Sequence, residues 1–402
     1  MATSRTIVIA GAGIGGLTAA LALAAKGFRI VILEKAERLE EAGAGLQLSP
    51  NASRVLIGLG LQTRLAPHVT IPDAVSIMSA RSGDEVIRLP LGTNGALRDS
   101  APYWLIHRAD LQAALLAQVR QTPAIELRLG CGFEDFAVHA AGVTVGQRHG
   151  VAREQEPALA LIGADGVWSA VRQQMFPDAQ PTFAGLIAWR GTVDARQLPK
   201  ELTPSRVQLW MGPKAHLVAY PMSAGQQINL VAIMPGAWNR PGWSAPGDAA
   251  ELRDHFAAAR WPGPARSMIG AVGDWRRWAL STMSDGGVWH DAAQGPVALL
   301  GDAAHAMLPF AAQGAGMAIE DAAVLAQGLA GSIDDPATIG AGLARYAAMR
   351  RARVGRVQRT ARQSGQIYHL RGPMALARDL AMTALGPARL QARQDWIYDW
   401  KL

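Results

Sequence analysis

The glycine-rich stretch VIAGAGIGGLTAALAL, residues 8–23 of 402, constrains the fold more than any other part of the chain. Its glycines interrupt the apolar run, which argues against a secretory signal and against a membrane-spanning helix. The apolar residues over 6–10 are instead typical of a buried parallel strand. A helix is predicted over 17–26, and it ends at Gly27, a residue typical of helix C-termini. The stretch therefore predicts a strand, a glycine turn and a helix.

A second apolar run over 28–33 closes on Glu34 and completes a pattern typical of dinucleotide binding. Gly11 permits the tight turn, Gly13 lets the backbone approach a pyrophosphate, and Gly16 lets the helix and the strand pack closely. The helix N-terminus offers N–H groups to phosphates, and Glu34 can accept hydrogen bonds from a ribose diol. The pattern does not distinguish FAD from NAD. The predicted nucleotide-binding residues here are Gly11, Ala12, Gly13, Ile14, Gly15, Gly16, Glu34 and Lys35.

A second segment, LALIGADGVWSAVR over 159–172, also places a glycine and an aspartate after an apolar run. A buried strand is predicted over 159–162, and a short helix follows the turn at Asp165. Arg172 on this helix is placed either to reach an anion or to brace Asp165. Ligands bind at the carboxyl ends of strands in α/β sheets, so this turn is a candidate part of the same site.

A third segment, over 296–321, repeats the arrangement late in the chain. A strand is predicted over 297–300, and Asp302 at its carboxyl end can bond a ribityl or ribose hydroxyl. A glycine-rich helix start over 313–316 can face a phosphate or the edge of a flavin ring. His305, between these features, is predicted to be a packed structural residue.

In this order and at this spacing, the three motifs resemble those of the single-component FAD-dependent aromatic hydroxylases, and most of all the salicylate hydroxylase-like and 6-hydroxynicotinate 3-monooxygenase-like members. The resemblance covers nearly the whole chain. It implies FAD as cofactor, NADH or NADPH as co-substrate, and ring hydroxylation by O₂ through a C4a-hydroperoxyflavin. One departure is Gly316, where many members have Asn. The resemblance implies cofactor contacts for Arg108, Asp165, Arg172, Asp302, Pro309, Gln313, Gly314, Ala315 and Gly316.

The resemblance and the strand pattern together predict an α/β fold with three parts. These are a Rossmann-like FAD-binding domain, an inserted β-sheet substrate domain and C-terminal helices. Alternating apolar and polar residues between Gly/Pro turns predict antiparallel strands in the substrate domain. The predicted boundaries are 1–72 with 104–181 and 286–335 for the FAD-binding domain, 73–103 with 182–285 for the substrate domain, and 336–402 for the helical region.

Three residues are predicted to act on the substrate: His216, Tyr220 and Gln47. Residues two apart on a strand face the same way, so His216 and Tyr220 of AHLVAYP should project into one cavity. A neutral imidazole at His216 can take a phenolic proton, which raises the electron density of the ring. Tyr220 is predicted to hydrogen-bond the substrate, and Gln47 lies in a loop that in the family rests against the flavin. Arg190 is a candidate either for a substrate carboxylate or for packing.

The net charge of +7 is compatible with nucleic acid, a membrane surface or anionic ligands. Arginines recur about every three residues over 345–362, which predicts a solvated helix face or steering of an anionic ligand. Nothing resembles a zinc finger, an RNP motif or a helix-turn-helix, which argues against a nucleic-acid partner. The single cysteine, Cys131, excludes an internal disulfide and a multi-cysteine metal site. We expect no metal, no stable membrane insertion, a cytoplasmic location, and a monomer or homodimer.

The leading functional hypothesis is an NAD(P)H- and FAD-dependent monooxygenase of a phenolic or hydroxy-heteroaromatic acid. One alternative is a hydroxylase or epoxidase of a larger polycyclic or isoprenoid substrate, which a wide pocket without a carboxylate clamp would favour. An alternative of another class is a non-catalytic, redox-responsive flavin-binding protein. A flavin-dependent halogenase is disfavoured because the sequence lacks Trp-x-Trp-x-Ile-Pro.

Overall fold

The computed structural model describes residues 5–39, 45–91, 101–199, 205–240, 242–258 and 260–402. The strands are β1 (Thr6–Ala10), β2 (Arg29–Glu34), β3 (Gly45–Leu48), β4 (Ala74–Ser79), β5 (Glu85–Pro90), β6 (Trp104–His107), β7 (Ile125–Leu129), β8 (Cys131–His139), β9 (Gly142–His149), β10 (Ala152–Ala158), β11 (Ala160–Gly163), β12 (Thr182–Asp194), β13 (Val207–Gly212), β14 (Ala215–Met222), β15 (Gln227–Pro235), β16 (Ser244–Gly247), β17 (Trp275–Thr282) and β18 (Val297–Leu299). The helices are α1 (Ile14–Ala24), α2 (Pro50–Gly58), α3 (Gln62–Leu65), α4 (Arg108–Arg120), α5 (Ala170–Met175), α6 (Ala249–Ala258), α7 (Gly263–Ala271), α8 (Asp302–His305), α9 (Gly314–Leu329), α10 (Ile339–Tyr368) and α11 (Pro373–Tyr398).

A parallel sheet forms the first layer, with the described strands in the order β18-β11-β1-β2-β7. Its central strands are continuous apolar runs because helices cover the sheet, and every residue of β1 is buried. The predicted strand over 6–10 is confirmed with the same bounds. The first helix begins at Ile14, earlier than predicted, because extended backbone at Gly13 ends the turn and its carbonyl accepts from the Leu17 N–H at 2.9 Å.

A larger sheet forms the second layer, in the order β16-β17-β12-β15-β14-β13-β4-β5. Its strands were predicted to be antiparallel throughout, and this is wrong for one pair, since β13 runs parallel to β4. The prediction also missed α6 and α7. Their apolar residues recur at helical spacing and bury one face of the sheet, as Leu252, Phe256, Ala265, Met268 and Ile269 show.

The two faces of β14 have different partners. Ala215, Leu217 and Ala219 pack into the core formed with α6 and α7. The alternate residues His216, Val218 and Tyr220 point the other way, because side chains alternate along a strand. That second face meets a one-turn helix at Pro309–Ala311 and the C-terminal part of α10.

The region after 336 is helical, as predicted. The helix α10 lies beside α9, and α11 packs on β5 with a kink at Gly386, whose φ is 75°, and Pro387. The prediction of a solvated arginine face on α10 is wrong for Arg350, which is 1% exposed. Arg350 donates to both Glu320 and Asp321 of α9 at 2.6 Å. The pattern was misread because the two carboxylates lie on another helix.

Two smaller groups of strands complete the described fold. The strands β8, β9 and β10 form an antiparallel sheet, and β3 pairs with β6. Within the described ranges, no helix is both long and apolar enough to cross a bilayer. The domain boundaries remain predictions, and residues 92–100, 200–204, 241 and 259 of the predicted substrate domain lie outside the described residues.

Candidate active site

The three motifs meet at the carboxyl ends of the parallel strands because β1, β11 and β18 are neighbours in the sheet. Gly11, with φ of +104°, approaches the second motif so closely that a Cβ on it would lie 2.5 Å from the Ala164 carbonyl oxygen. A Cβ on Gly15 would lie 2.8 Å from a methyl of Leu300 and 3.2 Å from the Cβ of Ala318. The glycines therefore let α1 pack against the strand end and helix of the third motif.

Two helix N-termini in these motifs carry the features of an anion cradle. Neither Gly13, which caps α1, nor Gln313, which caps α9, makes a side-chain cap bond to its helix. A Cβ built on Gly13 or on Gly314 would meet nothing within 4 Å. Open glycine surfaces with uncapped N–H groups fit the pyrophosphate of FAD at α1 and a flavin edge or phosphate at α9.

Glu34 is held against the first glycine turn. Its carboxylate accepts from the Ala12 N–H at 2.8 Å and from the Ala36 N–H at 2.9 Å. The side-chain amide of Gln112 on α4 donates to the Ala12 carbonyl at 3.2 Å, which brings the first turn of α4, with Arg108, to the same region. This geometry is compatible with a ribose between the turn and α4. The contacts of Lys35, Arg108 and Glu34 with a cofactor remain predictions.

The second motif forms a tight turn in which Ser169 caps α5 and the Asp165 carboxylate accepts from the first N–H groups of that helix. One carboxylate oxygen of Asp165 accepts from the N–H groups of Ala170 and Val171 at 2.7 and 3.2 Å. Burial raises the pKa of Asp165. Arg172 is 3% exposed. Its guanidinium donates to the carbonyls of Val167, Ala179 and Ala303, at 2.6, 3.0 and 2.8 Å.

The bonds of Arg172 go to backbone carbonyls, so they favour a structural role over direct contact with an anion, but they brace the turn rather than the Asp165 carboxylate. They tie the second motif to Ala303, which lies one residue beyond Asp302 in the third motif. Asp302 is exposed at the start of α8, where its carboxylate is open to a hydroxyl-bearing ligand. The direct cofactor roles of Arg172 and Asp302 remain predictions.

A buried polar network fixes the start of α9. The Gln313 side chain donates to Ser49 Oγ at 2.8 Å and accepts from the Asn51 amide at 3.1 Å. The same amide donates to Glu320 at 2.7 Å. A Cβ on Gly316 would lie 2.9 Å from the Gln313 oxygen, so these amides fill the space beside the glycine.

The part of this network between α9 and α10 places charged side chains in the core. Arg350 bridges Glu320 and Asp321, and His305 Nε2 lies 2.6 Å from the second oxygen of Asp321. His305 is 1% exposed, so it is packed in the interior, and its structural role stays a prediction. Coulombic attraction from His305 and Arg350 outweighs burial and lowers the pKa of Asp321. The network therefore fixes α9 against α10 beneath the predicted flavin loop at 309–316.

His216 and Tyr220 lie on the same face of β14, as predicted, and both are 2% exposed. The His216 ring packs edge-on against Phe310 at 5.2 Å between centroids and against Tyr368 at 5.6 Å. Phe310 follows Pro309 in the predicted flavin loop. The loop therefore rests against the strand that carries the predicted base, although a catalytic role for either residue remains a prediction.

Gln47 lies on β3, at the other end of this face. Its side-chain oxygen accepts from the Tyr103 hydroxyl at 2.8 Å. The Gly45 N–H donates to Asn229 Oδ1 at 2.9 Å, and Asn229 pairs directly with Tyr220 in the sheet. The segment before Gly45, residues 40–44, lies outside the described residues.

Arg190 lies on the same face of the sheet as Val218, because β12, β15 and β14 pair in register. Its guanidinium stacks over Trp278 at 5.4 Å. Both alternatives, packing and carboxylate binding, remain open.

Sequence reasoning missed several residues of this region, because only the tertiary fold brings them to it. His369 contacts His216 across 153 positions of sequence, and no local pattern marks it. Asn51 and Glu320 lie 269 positions apart. Phe310 could have been found, since it stands inside the motif that was quoted for its neighbours.

Comparisons with known proteins show the family to which the chain belongs. A model of the FAD binding domain family matches residues 4–361. A 3-hydroxybenzoate 6-hydroxylase of Polaromonas naphthalenivorans (strain CJ2) is 34% identical over 396 residues, which are 98% of this chain and 96% of that protein. A 3-amino-4-hydroxybenzoate 2-monooxygenase of Streptomyces platensis is 36% identical over 378 residues, or 94% and 92% of the two chains. A solved salicylate hydroxylase substrate complex has a TM-score of 0.81, with 26% identity, and covers 100% of this chain and 97% of its own.

The chain therefore belongs to the FAD binding domain family and, within it, to the FAD-dependent aromatic hydroxylases. This confirms the predicted fold class, the resemblance and FAD as the cofactor. The alternative of a non-catalytic flavin-binding protein is wrong. The relatives that match this chain over nearly its whole length are monooxygenases.

Proposed function

We propose that this enzyme hydroxylates a phenolic acid of the hydroxybenzoate class, with NAD(P)H and O₂ as co-substrates. The observation that carries the proposal is the placement of His216 and Tyr220 on one buried face against the loop around Phe310. The hydroxybenzoate and aminohydroxybenzoate named for the relatives support the same substrate class.

His216 is suited to accept a phenolic proton. Burial, together with the His369 ring, lowers the pKa of His216 to about 3, so the imidazole is neutral at physiological pH. Among the described residues its Nε2 has no hydrogen-bond partner and is available to a ligand. A developing phenolate beside the ring favours the imidazolium and offsets the cost of burial. Loss of the proton raises the electron density of the ring that is to be attacked.

Tyr220 is suited to orient the same ligand. Burial raises the pKa of Tyr220, so its hydroxyl stays protonated and can donate a hydrogen bond to a ligand oxygen. It lies about four residues along the strand from His216, roughly 13 Å between Cα atoms at the usual rise of a strand. A ring between them would therefore be held at two points.

FAD, when bound, takes electrons from NAD(P)H and supplies activated oxygen to the ring. The residues suited to hold it are Gly11, Gly13, Gly16 and Glu34 at the nucleotide end and 309–316 at the ring end. Phe310, Ile233 and Ala361 form an apolar cluster beside this loop, which keeps water away from the reacting atoms.

The test is a screen of the purified holoenzyme with hydroxybenzoates, aminohydroxybenzoates and hydroxypyridine carboxylates. We expect at least one to stimulate NADH or NADPH oxidation and to gain one oxygen by mass spectrometry. His216→Asn should keep its FAD but lose hydroxylation by about a hundredfold or more. His255→Asn, on the opposite side of the sheet, is the matched control. Turnover confined to polycyclic or isoprenoid substrates, or an unimpaired His216→Asn, would contradict the proposal.

We further propose that the nicotinamide nucleotide binds transiently at the surface of the FAD-binding region, and that the enzyme works in the cytoplasm as a monomer or homodimer. The lone cysteine, Cys131, is buried and unpaired, which suits a reducing compartment. Sedimentation of the holoenzyme tests the oligomeric state, and a trimer or larger assembly would contradict it.

A further inference from the structure

The imidazole rings of His216 and His369 are in direct contact, with His216 Nδ1 and His369 Nε2 separated by 2.8 Å. We propose that His369 relays the substrate's phenolic proton from buried His216 to solvent. The inference rests on the proposed function, because it extends the role of His216 as the base. Nothing in the sequence motifs assigns a role to His369, which lies between α10 and α11.

The relay has one buried and one more exposed member. His216 is 2% exposed, whereas His369 is half-buried at the molecular surface. Within the described residues, the second nitrogen of each ring has no hydrogen-bond partner. His216 Nε2 is thus left for the ligand, and His369 Nδ1 is left for water.

The backbone fixes His369 from two sides. As the C-cap of α10, its N–H donates to the Gly365 carbonyl at 3.2 Å. Its carbonyl accepts from the N–H of Lys214, in the turn between β13 and β14, at 3.3 Å. Lys214 lies two residues before His216, so the hairpin that carries the base also holds the relay residue in place.

Two aromatic rings cover other sides of the His216 imidazole. Phe310 and Tyr368 pack edge-on against its imidazole, and Phe310 also packs against His369 at 5.7 Å. These contacts shield His216 from bulk water. A proton received by His216 therefore has the His369 ring as its hydrogen-bonded exit.

Among the described residues, no carboxylate on the elements around His369 pairs with either imidazole ring. Of the two acids on α11, Asp379 is the nearer in sequence to His369, and it pairs with Arg378 at 2.8 Å. Arg378 in turn donates to the carbonyls of Ile367 and Tyr368. The ionisable residues next in sequence to the pair are Lys214, Tyr220, Tyr368 and Arg371, and Arg378 and Asp379 on α11 follow.

The transfer balances without an oxidant or a reductant. The phenolic O–H bond breaks, and its proton forms a bond to His216 Nε2. The proton on His216 Nδ1 passes to His369 Nε2, and His369 Nδ1 releases its proton to water. One phenolate forms and one proton leaves. Burial lowers the pKa of His369 to about 4, so this ring does not retain the proton at neutral pH.

The first experiment measures proton release when a phenolic acid that the enzyme hydroxylates is mixed with the oxidised holoenzyme, without NAD(P)H. A pH-indicator dye follows the proton, and ultraviolet absorbance follows the phenolate. In His369→Gln, which keeps a hydrogen-bonding side chain but cannot relay a proton, we expect both signals about a hundredfold slower, with FAD content unchanged. His255→Gln, another half-buried histidine, should match the wild type. Wild-type rates in His369→Gln would overturn the relay.

The second experiment separates a relay from a structural role. In His369→Gly, added imidazole should restore the rate of phenolate formation, and substituted imidazoles should restore it in the order of their pKa values. Lack of rescue in a folded, FAD-loaded variant would overturn the proposal. If the wild type neither binds nor hydroxylates any phenolic acid, the proposed function is wrong. If the wild type hydroxylates a phenolic acid and His369→Gln releases the proton at the normal rate, only the relay is wrong.

Discussion

The hydroxyl of Tyr220 occupies the space beside Gly45 that any larger residue would need. A Cβ on Gly45 would lie 2.6 Å from the Tyr220 oxygen and 2.6 Å from the sulfur of Met222. The glycine therefore sets how closely β3 approaches the face of β14 that carries His216 and Tyr220.

Gly45→Ala should displace Tyr220 and weaken substrate binding more than turnover. Overpacking of this kind costs about 1–3 kcal/mol of stability, and we expect KM to rise about tenfold while FAD is retained. Thermal unfolding and steady-state kinetics test this. Gly58→Ala is the control, because a Cβ there meets nothing within 4 Å. Equal behaviour of the two variants would show that the close approach is unimportant.

Gly13→Val tests the anion cradle. A Cβ at this position meets no protein atom within 4 Å, so the fold should tolerate the side chain. The branched side chain would instead fill the space predicted for the pyrophosphate. We expect a folded apoprotein with FAD affinity reduced at least about a hundredfold, measured by flavin fluorescence and circular dichroism. Gly331→Ala, also in open space, should bind FAD normally. Normal FAD affinity in Gly13→Val would place the cofactor elsewhere.

Arg350→Met tests the buried charge network under α9. The change leaves Glu320 and Asp321 with less compensation in the core, which typically costs about 3–5 kcal/mol. Chemical denaturation of the holoenzyme measures the loss. Arg362→Met is the matched control on the same helix, where the partner Asp285 and the arginine are both partly exposed, and the expected loss is about 0–1 kcal/mol. Similar losses in the two variants would contradict the assigned role of Arg350.

The histidine pair predicts how stability depends on pH. In the unfolded chain both histidines bind protons near their ordinary pKa of about 6.5. In the folded protein, burial and the neighbouring ring lower the pKa of His216 to about 3, and burial lowers that of His369 to about 4. The unfolded state therefore binds more protons below about pH 6.5, and the free energy of unfolding falls as the pH is lowered from about 6.5 to about 4 for His369 and to about 3 for His216.

Thermal unfolding of the holoenzyme across this window measures the effect. His369→Gln should lose less stability between neutral and acid pH than the wild type, because one of the two titrating groups is gone. If the dependence of stability on pH is unchanged in this variant, His369 has the same pKa in the folded and the unfolded state.

The parts of the fold that could be predicted were those with a local cause. The turn at Gly11, the strand before it and the acid at Glu34 follow from steric and hydrogen-bonding requirements within one short stretch. The helices α6 and α7 also had a local signal, the helical spacing of Leu252 and Phe256, but strand-like alternation around them hid it.

The features that the sequence did not predict depend on contacts between distant segments. The arginines of α10 were predicted to form a solvated face or to steer an anionic ligand because they recur about every three residues, whereas Arg350 pairs with Glu320 on α9. The contact of His216 with His369 depends on where α10 ends over the hairpin. The strand pattern did predict that His216 and Tyr220 share a face, but it could not show which element covers them.

The most direct test of the whole account is a crystal structure of the oxidised enzyme with FAD and a hydroxybenzoate that it turns over. The account predicts the pyrophosphate at the α1 N-terminus, the flavin ring against residues 309–316, and the phenolic oxygen within hydrogen-bonding distance of His216 Nε2. A phenolic acid bound away from the β14 face, with His216 still shielded from it, would contradict the account.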